Sequence, residues 1–287
     1  MVIVLSKFGA GILSLIDPIF PKPEHPFNLK NENGQSYADW QFDKAEGTIL
    51  FYISKFSKEE MFRGKRVLDC GCGEGGKSVY YASLGAVSVT GIDIFPDYEE
   101  RAKAFAEKKG LGNVFSFRLA DATDLPFDDN SFDTIIMNDF IEHVSDPESA
   151  LKEALRVLAP GGRIYTNFPP YYHPYGAHMS DAIGMPWVHC FFNDDSLIRV
   201  YKKNVASMPD GADRIRFRFS MDENGKEYIS YINRMTISRF EGILKQLNIT
   251  PVFYELTPLR PVFKRLAKGK LLHEHLNKMV TCVIEKI

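Results

Sequence analysis

The chain is poor in cysteine and carries almost no net charge. Its 287 residues include only four cysteines, and the formal net charge is −2 at pH 7. So little charge excludes a general electrostatic attraction to nucleic acid or to an anionic membrane. Cys70 and Cys72 lack the second pair that a structural zinc site would need, so no metal site is predicted. A chain with so few thiols is typical of a reducing compartment, and we expect a cytoplasmic protein.

Long hydrophobic runs are also missing, and so are low-complexity segments and basic or acidic tails. The most apolar stretch is residues 1–20, "MVIVLSKFGAGILSLIDPIF", which Lys7 interrupts and which is too short to span a bilayer comfortably. We interpret it as a helix packed on the domain or over its active site. Weak interfacial contact with a membrane through residues 1–20 is the alternative, because the apolar surface is large for a terminus.

Short apolar runs alternate with helical stretches from residue 65 to residue 168. The runs "KRVLDCG", "SVTGIDI", "NVFSFRLAD", "FDTIIMND" and "RIYTNF" predict five strands, and "TPVFYEL" and "KMVTCVIEKI" predict two more near the end. Strands separated by single helices need crossover connections, which build a parallel sheet covered on both faces. The predicted class is therefore α/β, a Rossmann-like, doubly wound and mostly parallel seven-stranded sheet.

Three regions organise the chain around this sheet. We predict an N-terminal helical cap over residues 1–60, a sheet domain over 61–167 and 236–287, and an inserted acceptor-binding or lid region over 168–235. Within the insertion, "RIRFRFSMDENGKEYISYI" predicts a hairpin that turns at Asn224-Gly225, with "RIRFRF" as an exposed strand face. An insertion this long is expected to have its own structure and a binding role.

A glycine-rich loop follows the first predicted strand. In "VLDCGCGEGG", residues 67–76, the pattern G-x-G-x-x-G predicts a nucleotide site at a helix N-terminus. Asp69 and Glu74 would repel a diphosphate and attract an ammonium group, which favours a nucleoside that carries an amino acid. Asp93 ends the second strand, where an acid can bind both ribose hydroxyls. Asp93 alone fits NAD and S-adenosylmethionine equally, so a dehydrogenase stays the rival interpretation.

The segment downstream separates these alternatives. "LADATDLPFDDNSFDTIIMNDFIEHVSDPESALKEALRVLAPGGRIY" resembles the middle of class I S-adenosylmethionine-dependent methyltransferases, and the resemblance runs from about residue 65 to 167. It implies S-adenosyl-L-methionine as the cofactor. It further implies that Asp69, Gly71 and Gly73 line the methionine end, with Cys72 at the variable loop position and without a chemical role. By the same resemblance Asp93 binds the ribose, Ile94 packs on the adenine, Asp121 and Ala122 reach the adenine edge, and Asn138 borders the methyl-transfer face.

The methyl acceptor is expected to bind in the variable parts of the chain, which are the N-terminal cap and the insertion. An aromatic segment with imidazoles, "PPYYHPYGAHMSDAIGMPWVHCFF", suits a small, flat or apolar acceptor with a hydroxyl group, whose proton a histidine would take. The candidate general bases are His178, His173, His189 and His143. The candidate acceptor-binding residues are Tyr37, Trp40, Tyr171, Tyr172, Tyr175 and Trp187.

Other interpretations stay open at this point. Any one histidine could be a structural hydrogen-bonding group, the tyrosines could form the core of a lid, and His173, His178 and Asp181 could hold a metal. The acceptor could be an amine or carbon centre of a small metabolite or lipid, or the chain could be a non-catalytic S-adenosylmethionine-binding module. Nucleic acid is not expected as a partner, because no basic stripe interleaved with aromatics is present. The sequence predicts no oligomeric state.

Overall fold

The computed structural model describes residues 8–23, 28, 36–269 and 272–287. These residues form two compact units. The sheet unit comprises residues 36–168, 239–257 and 279–287. The appended unit comprises residues 8–23, 28, 169–238, 258–269 and 272–278.

The described strands, in chain order, are β1 Arg66–Cys70, β2 Ser88–Asp93, β3 Phe115–Leu119, β4 Phe132–Asn138, β5 Leu158–Phe168, β6 Phe219–Met221, β7 Glu227–Ile229, β8 Phe253–Pro258 and β9 Asn277–Glu285. Seven of these described strands form one sheet in the order β3-β2-β1-β4-β5-β9-β8. Strands β1 to β5 run parallel, and β9 pairs antiparallel with β5. This topology confirms the predicted doubly wound, mostly parallel sheet.

Helices cover this sheet where the sequence supplies caps and a buried face. The helices of the sheet unit are Tyr37–Ile53, Lys58–Phe62, Gly76–Ser83, Tyr98–Lys108, Pro147–Val157 and, apart from its first two residues, Ile237–Gln246. Asp146 caps one of them by accepting hydrogen bonds from the N–H groups of Glu148 and Ser149, with Pro147 in the first helical position, as predicted. Asp133 joins the beginnings of β4 and β1, because its carboxylate pairs with the Arg66 guanidinium at 2.8 Å.

The regular structure of the appended unit is mainly helical. Its helices are Gly9–Ile16, Val188–Phe191, Asp194–Val205, Gly211–Arg218 and His273–Leu276, with 3₁₀ turns at Asp17–Ile19, Pro261–Phe263 and Leu266–Lys268. The first helix packs closely on Asp194–Val205, since a Cβ on Gly9 would lie 2.6 Å from the Ser196 Oγ. The segment is helical and packs within the appended unit, and its place on the domain or over the active site stays a prediction.

The same helix and the residues beside it leave apolar side chains in solvent. Phe8, Leu15 and Ile19 are 81%, 78% and 76% exposed. Interfacial membrane contact through residues 1–20 stays a prediction, and residues 1–7 of that segment lie outside the described residues. Among the described residues, no helix combines the length and the hydropathy needed to cross a bilayer.

The predicted hairpin is shorter than expected, and "RIRFRF" as a strand is wrong. Residues Gly211–Arg218 are helical, and only β6 and β7 pair, with Gly225 at a φ of 73° in the loop between them. The helix places Arg214 and Arg218 one turn apart, so that both guanidinium groups reach the Asp181 carboxylate, at 3.2 and 2.9 Å. In a strand the two residues would be about 13 Å apart, and one carboxylate would not serve both.

The two units do not follow the three predicted regions residue by residue. Helix Tyr37–Ile53, which falls in the predicted cap, groups with the sheet, and residues 258–269 and 272–278 group with the predicted insertion. The division into cap, sheet domain and insertion remains a prediction about how these segments act.

Candidate active site

The glycine loop leaves β1 in a conformation that only glycine adopts easily. Gly71, Gly73 and Gly75 have φ angles of 74°, 55° and 78°. The N–H groups of Gly71 and Cys72 donate to the Ile92 carbonyl at 2.9 and 3.0 Å, which ties the loop to the end of β2. The loop is thus a rigid, side-chain-poor cradle at the carboxyl edge of the sheet, where open α/β sheets bind ligands.

Gly75 and Gly76 serve packing as well as the loop. A Cβ on Gly75 would lie 3.0 Å from the Ala102 Cβ, and one on Gly76 would lie 2.3 Å from the Ala38 carbonyl oxygen. The first turn of helix Tyr37–Ile53 therefore sits directly against the N-terminus of helix Gly76–Ser83.

The two loop carboxylates are buried, and within the described part of the chain only Glu74 has a paired cation. Glu74 Oε1 accepts from Arg101 Nη1 at 2.7 Å, so its charge is balanced within the protein. Asp69 accepts from the Ser78 hydroxyl at 2.6 Å, and burial raises the pKa of its carboxyl to about 6. The predicted attraction for an ammonium group therefore depends on Asp69 more than on Glu74.

Asp93 lies where the sequence places it, at the end of β2. Its carboxylate accepts from the N–H groups of Gly73 at 2.9 Å and Phe95 at 3.1 Å, so it joins the strand end to the cradle. Burial raises the pKa of this carboxyl, and the backbone hydrogen bonds oppose the shift. Ile94 is 60% exposed beside it, an apolar surface of the kind that a base can cover.

Asp121 and Ala122 follow β3 in a tight turn. Asp121 Oδ1 accepts from the Thr123 N–H at 2.9 Å and from its hydroxyl at 2.8 Å, which fixes the turn, and Ala122 is buried under it. Their role at the adenine edge stays a prediction.

Asn138, at the end of β4, is committed to an internal network. Its Oδ1 accepts from the Tyr52 hydroxyl at 2.6 Å and from Asn167 Nδ2 at 2.9 Å, and its Nδ2 donates to the Tyr81 hydroxyl at 3.4 Å. These bonds join β4, β5 and helix Tyr37–Ile53. The predicted place of Asn138 at the methyl-transfer face is untested, and its side chain already has a structural role.

Tyr37 and Trp40 lie on helix Tyr37–Ile53, with their rings stacked at 6.0 Å. Burial raises the pKa of Tyr37 to about 12, and the charges of Glu74, Asp139 and Asp93 add to the shift. Tyr37, predicted to bind the acceptor, therefore lies close to the carboxylates that surround the cofactor loop.

Glu142 is a buried acid that the sequence interpretation missed. It is 2% exposed, and neither carboxyl oxygen has a hydrogen-bond partner among the described residues. Burial raises its pKa well above the usual range. Its neighbour His143, a candidate base, has Nε2 3.7 Å from Glu142 Oε1. In the sequence, Glu142 is visible only as the acid before His143 in "IEHV". Its burial in the structure is what distinguishes it from other acids.

Two candidate bases of the appended unit are neutral at ordinary pH. Burial lowers the pKa of His173 and of His189 to about 4. His173 Nδ1 accepts from the Tyr175 N–H at 3.3 Å, and the His189 ring lies 4.7 Å from the Tyr171 ring. Both imidazoles are thus held in an aromatic environment in which they bind protons weakly.

His178 and Trp187 share an unusual backbone conformation. Both have a φ of 53°, a left-handed value that is uncommon for residues other than glycine. The His178 carbonyl accepts from Arg218 Nε at 3.1 Å, and Trp187 Nε1 donates to the Tyr172 carbonyl at 3.1 Å. Each of these two residues is thus held by a hydrogen bond to another segment of the unit.

The alternative metal site is not supported at Asp181. This carboxylate is fully buried and accepts from the Tyr201 hydroxyl at 2.7 Å, as well as from Arg214 and Arg218. Its charge is already balanced by two guanidinium groups, so it is not available to bind a metal together with His173 and His178.

Comparison with protein families agrees with this geometry. Residues 68–166, which carry the cradle, Asp93, Asp121 and β4, match the family model described as a methyltransferase domain. Residues 68–166 are a methyltransferase domain. The domain is of the S-adenosylmethionine-dependent class, and S-adenosylmethionine is its cofactor. The cradle of positive-φ glycines, closed by Asp93, fits that group.

Curated relatives also match over part of the chain. The chloroplastic tocopherol O-methyltransferase of Arabidopsis thaliana is 42% identical over 115 residues, which are 40% of this chain and 33% of that protein. The norajmaline N-methyltransferase of Rauvolfia serpentina is 39% identical over 100 residues, 35% of this chain and 34% of that protein. The chain therefore spans about a third of the length of these relatives.

The fold as a whole has solved counterparts. A putative sarcosine dimethylglycine methyltransferase from Galdieria sulphuraria aligns with a TM-score of 0.53 at 16% identity, over 97% of this chain and 98% of that one. At this identity the likeness concerns the fold alone, and it agrees with the seven-stranded sheet described above.

Proposed function

We propose that this chain transfers a methyl group to a hydroxyl oxygen of a small molecule. The observation that carries the proposal is the rigid cradle of Gly71 and Gly73 joined to Asp93, within a methyltransferase domain. S-adenosylmethionine, when bound, supplies a methyl group already activated on a sulfonium sulfur. The protein then has to hold the acceptor in line and away from water.

The side chains proposed to bind the acceptor follow β5. Tyr171, Tyr172, Tyr175 and Trp187 are partly buried and offer aromatic surface for a flat or apolar molecule. Tyr37 and Trp40 are assigned to the acceptor only secondarily, because Tyr37 is surrounded by carboxylates of the cofactor loop.

We assign to His178 the role of the general base that takes the proton of the acceptor hydroxyl. A general base works best when its pKa lies near the operating pH, and a pKa of about 4 makes His173 and His189 weak proton acceptors. His178 is held at a φ of 53°, and uncommon backbone conformations of this kind concentrate at functional sites. His143 is the second choice.

An amine acceptor is the second candidate function. A neutral amine attacks without a protein base, and the weak basicity of His173 and His189 is compatible with such an acceptor. One of the curated relatives is an N-methyltransferase. The histidine variants distinguish the two chemistries: His178→Ala should lower kcat with an oxygen acceptor at unchanged cofactor affinity, and it should have little effect with an amine.

The cofactor assignment is tested by calorimetry with S-adenosylhomocysteine and NADH. The wild-type chain should bind the former and not the latter. Asp93→Ala should weaken binding about 10- to 100-fold, because charge-assisted hydrogen bonds contribute about 1.5–3 kcal/mol. Asp97→Ala, the same change at an exposed neighbouring position, is the control. Equal affinity in the two variants would contradict the ribose role of Asp93.

The acceptor class is tested with radiolabelled S-adenosylmethionine and a panel of phenols, aliphatic alcohols and secondary amines. Transfer to an alcohol or phenol supports the proposal, and transfer to amines alone would replace it with the second candidate. Incubation with cell extract, followed by identification of the labelled compound, then names the natural acceptor.

A further inference from the structure

Gln41 lies over the cofactor loop with half of its amide unsatisfied. The residue is 7% exposed, and its Nε2 lies 3.9 Å from the position that a Cβ would take on Gly73. Its Oε1 has no hydrogen-bond partner among the described residues. Leaving a buried acceptor unpaired costs about 1–3 kcal/mol, so such an atom points to a missing donor.

The position of Gln41 is fixed by its helix. A Cβ on Gly76 would lie 2.6 Å from the Gln41 Cβ, so the helix backbone meets the loop without space between them. Asp39, two residues earlier, accepts from Lys108 Nζ at 2.9 Å and anchors the first turn. The Gln41 amide also forms a hydrogen bond with the Tyr37 hydroxyl, which leaves the carbonyl oxygen as the unused group.

The charges around this position favour a cationic donor. Asp69, Glu74, Asp93 and Asp139 belong to the cradle and its borders, where Lys77 and Arg101 are the cations that pair with Asp139 and Glu74. Four carboxylates against two cations leave an excess of negative charge. A buried amide carbonyl beside such an excess suits an ammonium group, which has three N–H donors.

We propose that Gln41 binds the α-ammonium group of the cofactor's methionine end through Oε1 and so selects ligands that carry an amino acid. This inference rests on the proposed function. It assigns the first turn of helix Tyr37–Ile53 to the cofactor rather than to the acceptor. Gln41 is a specificity-determining residue and takes no part in the transfer itself.

The test compares two nucleosides that differ in the amino-acid end. Calorimetry measures binding of S-adenosylhomocysteine, which has that end, and of 5′-methylthioadenosine, which lacks it. Gln41→Leu keeps the approximate volume and removes the acceptor. It should weaken S-adenosylhomocysteine about 10-fold, as expected for a hydrogen bond to a charged group, and should change methylthioadenosine less than about twofold. Gln246→Leu, on an exposed helix surface, is the matched control.

The outcomes separate this inference from the proposed function. If the wild-type chain binds neither nucleoside, the proposed cofactor chemistry itself is wrong. If the wild-type chain binds both, and Gln41→Leu weakens both equally, Gln41 acts through packing and the inference is overturned. If Gln41→Leu does not fold, Gln41→Glu decides, since it keeps an oxygen acceptor at the same reach. That variant should hold S-adenosylhomocysteine within about threefold of wild type, and a selective loss of that ligand would also overturn the inference.

Discussion

The two units of this chain bury polar groups in different ways. In the sheet unit, buried polar side chains at the strand ends pair with neutral groups, as Asp69 does with Ser78 and Asn138 does with Tyr52 and Asn167. The appended unit instead buries a charged cluster, in which Asp181 faces Arg214 and Arg218. In the sheet unit, the hydrogen bonds between neighbouring strands fix the elements. In the appended unit, the charged cluster joins segments that no long β-sheet connects.

The difference shows what each kind of burial is suited to do. Neutral partners leave a carboxylate such as Asp69 able to respond to an incoming cation, because within the described part of the chain no cation forms a salt bridge with it. A carboxylate between two guanidinium groups is saturated, and its role is to fix positions. Ligand binding is therefore expected at the strand ends, and structural integrity of the appended unit is expected to depend on Asp181.

The largest expected effect is that of Asp181→Ala. Removing the carboxylate takes away the ion pairs of Asp181 with two buried guanidinium groups, of which Arg214 keeps its pair with Asp210, and this should destabilise the appended unit by about 3–5 kcal/mol. Trp187 reports this unit and Trp40 the sheet unit, so urea denaturation in Trp40→Phe and Trp187→Phe backgrounds measures them separately. Asp213→Ala, which breaks an exposed pair with Arg216, should cost less than about 0.5 kcal/mol. Equal small losses in both variants would mean that the buried cluster does not hold the unit together.

Acidification should affect the two units with opposite sign. The pKa of His173 and His189 falls from 6.5 to about 4 on folding, so the unfolded chain binds more protons below pH 6.5 and stability is lost as the pH falls toward 4. Between pH 7 and 5 the loss is on the order of 2 kcal/mol per histidine. The pKa of Asp69 rises from 3.8 to about 6, so over the same range its contribution increases stability, by about 1 kcal/mol.

Native-state hydrogen exchange at pH 7 and pH 5, corrected for intrinsic rates, measures this difference. Amides near His173 and His189 should lose protection relative to those of β1 and β4. His189→Phe keeps an aromatic ring and should reduce the loss. A uniform loss across both units, unaffected by this variant, would remove the buried imidazoles as its cause.

The smallest expected effect concerns two glycines of the sheet unit that differ only in their surroundings. Gly76→Ala should destabilise the unit by about 1–3 kcal/mol, because the new Cβ would meet the Ala38 carbonyl oxygen at 2.3 Å. Gly47→Ala, in the exposed middle of helix Tyr37–Ile53 with open space around it, should stabilise by about 0.5–1 kcal/mol. Trp40 fluorescence during urea denaturation measures both. Similar effects of the two substitutions would mean that the close helix approach at Gly76 is not a constraint.

Local signals in the sequence predicted the sheet unit well. Alternating strand and helix patterns, the Asp146-Pro147 cap and the glycine loop act over a few residues, so their structural meaning can be inferred without the fold. The "RIRFRF" segment shows the limit of such signals. Its alternation predicts a strand, but ion pairs of Arg214 and Arg218 with a residue more than 30 positions earlier favour a helix.

The site was predictable to the same extent. Positions that a local motif marks, such as Asp93 at the end of a strand, lie where expected. Gln41 carries no motif, because only the fold brings it next to Gly73 and Gly76, which lie in a later part of the chain. The balance of Glu74 by Arg101 was missed for the same reason, since 27 residues separate the two.

The amide network of Asn138 and Asn167 limits how the cofactor site can open. Asn167 Nδ2 donates to the Thr48 carbonyl at 3.2 Å and to the Tyr52 hydroxyl at 2.9 Å, which fastens the middle and end of helix Tyr37–Ile53 to two strands of the sheet. An outward movement of the whole helix would remove these hydrogen-bond partners from the two buried amides. Because Asp39 also ties the first turn of this helix to Lys108, a nucleoside is expected to enter and leave with the helix in place.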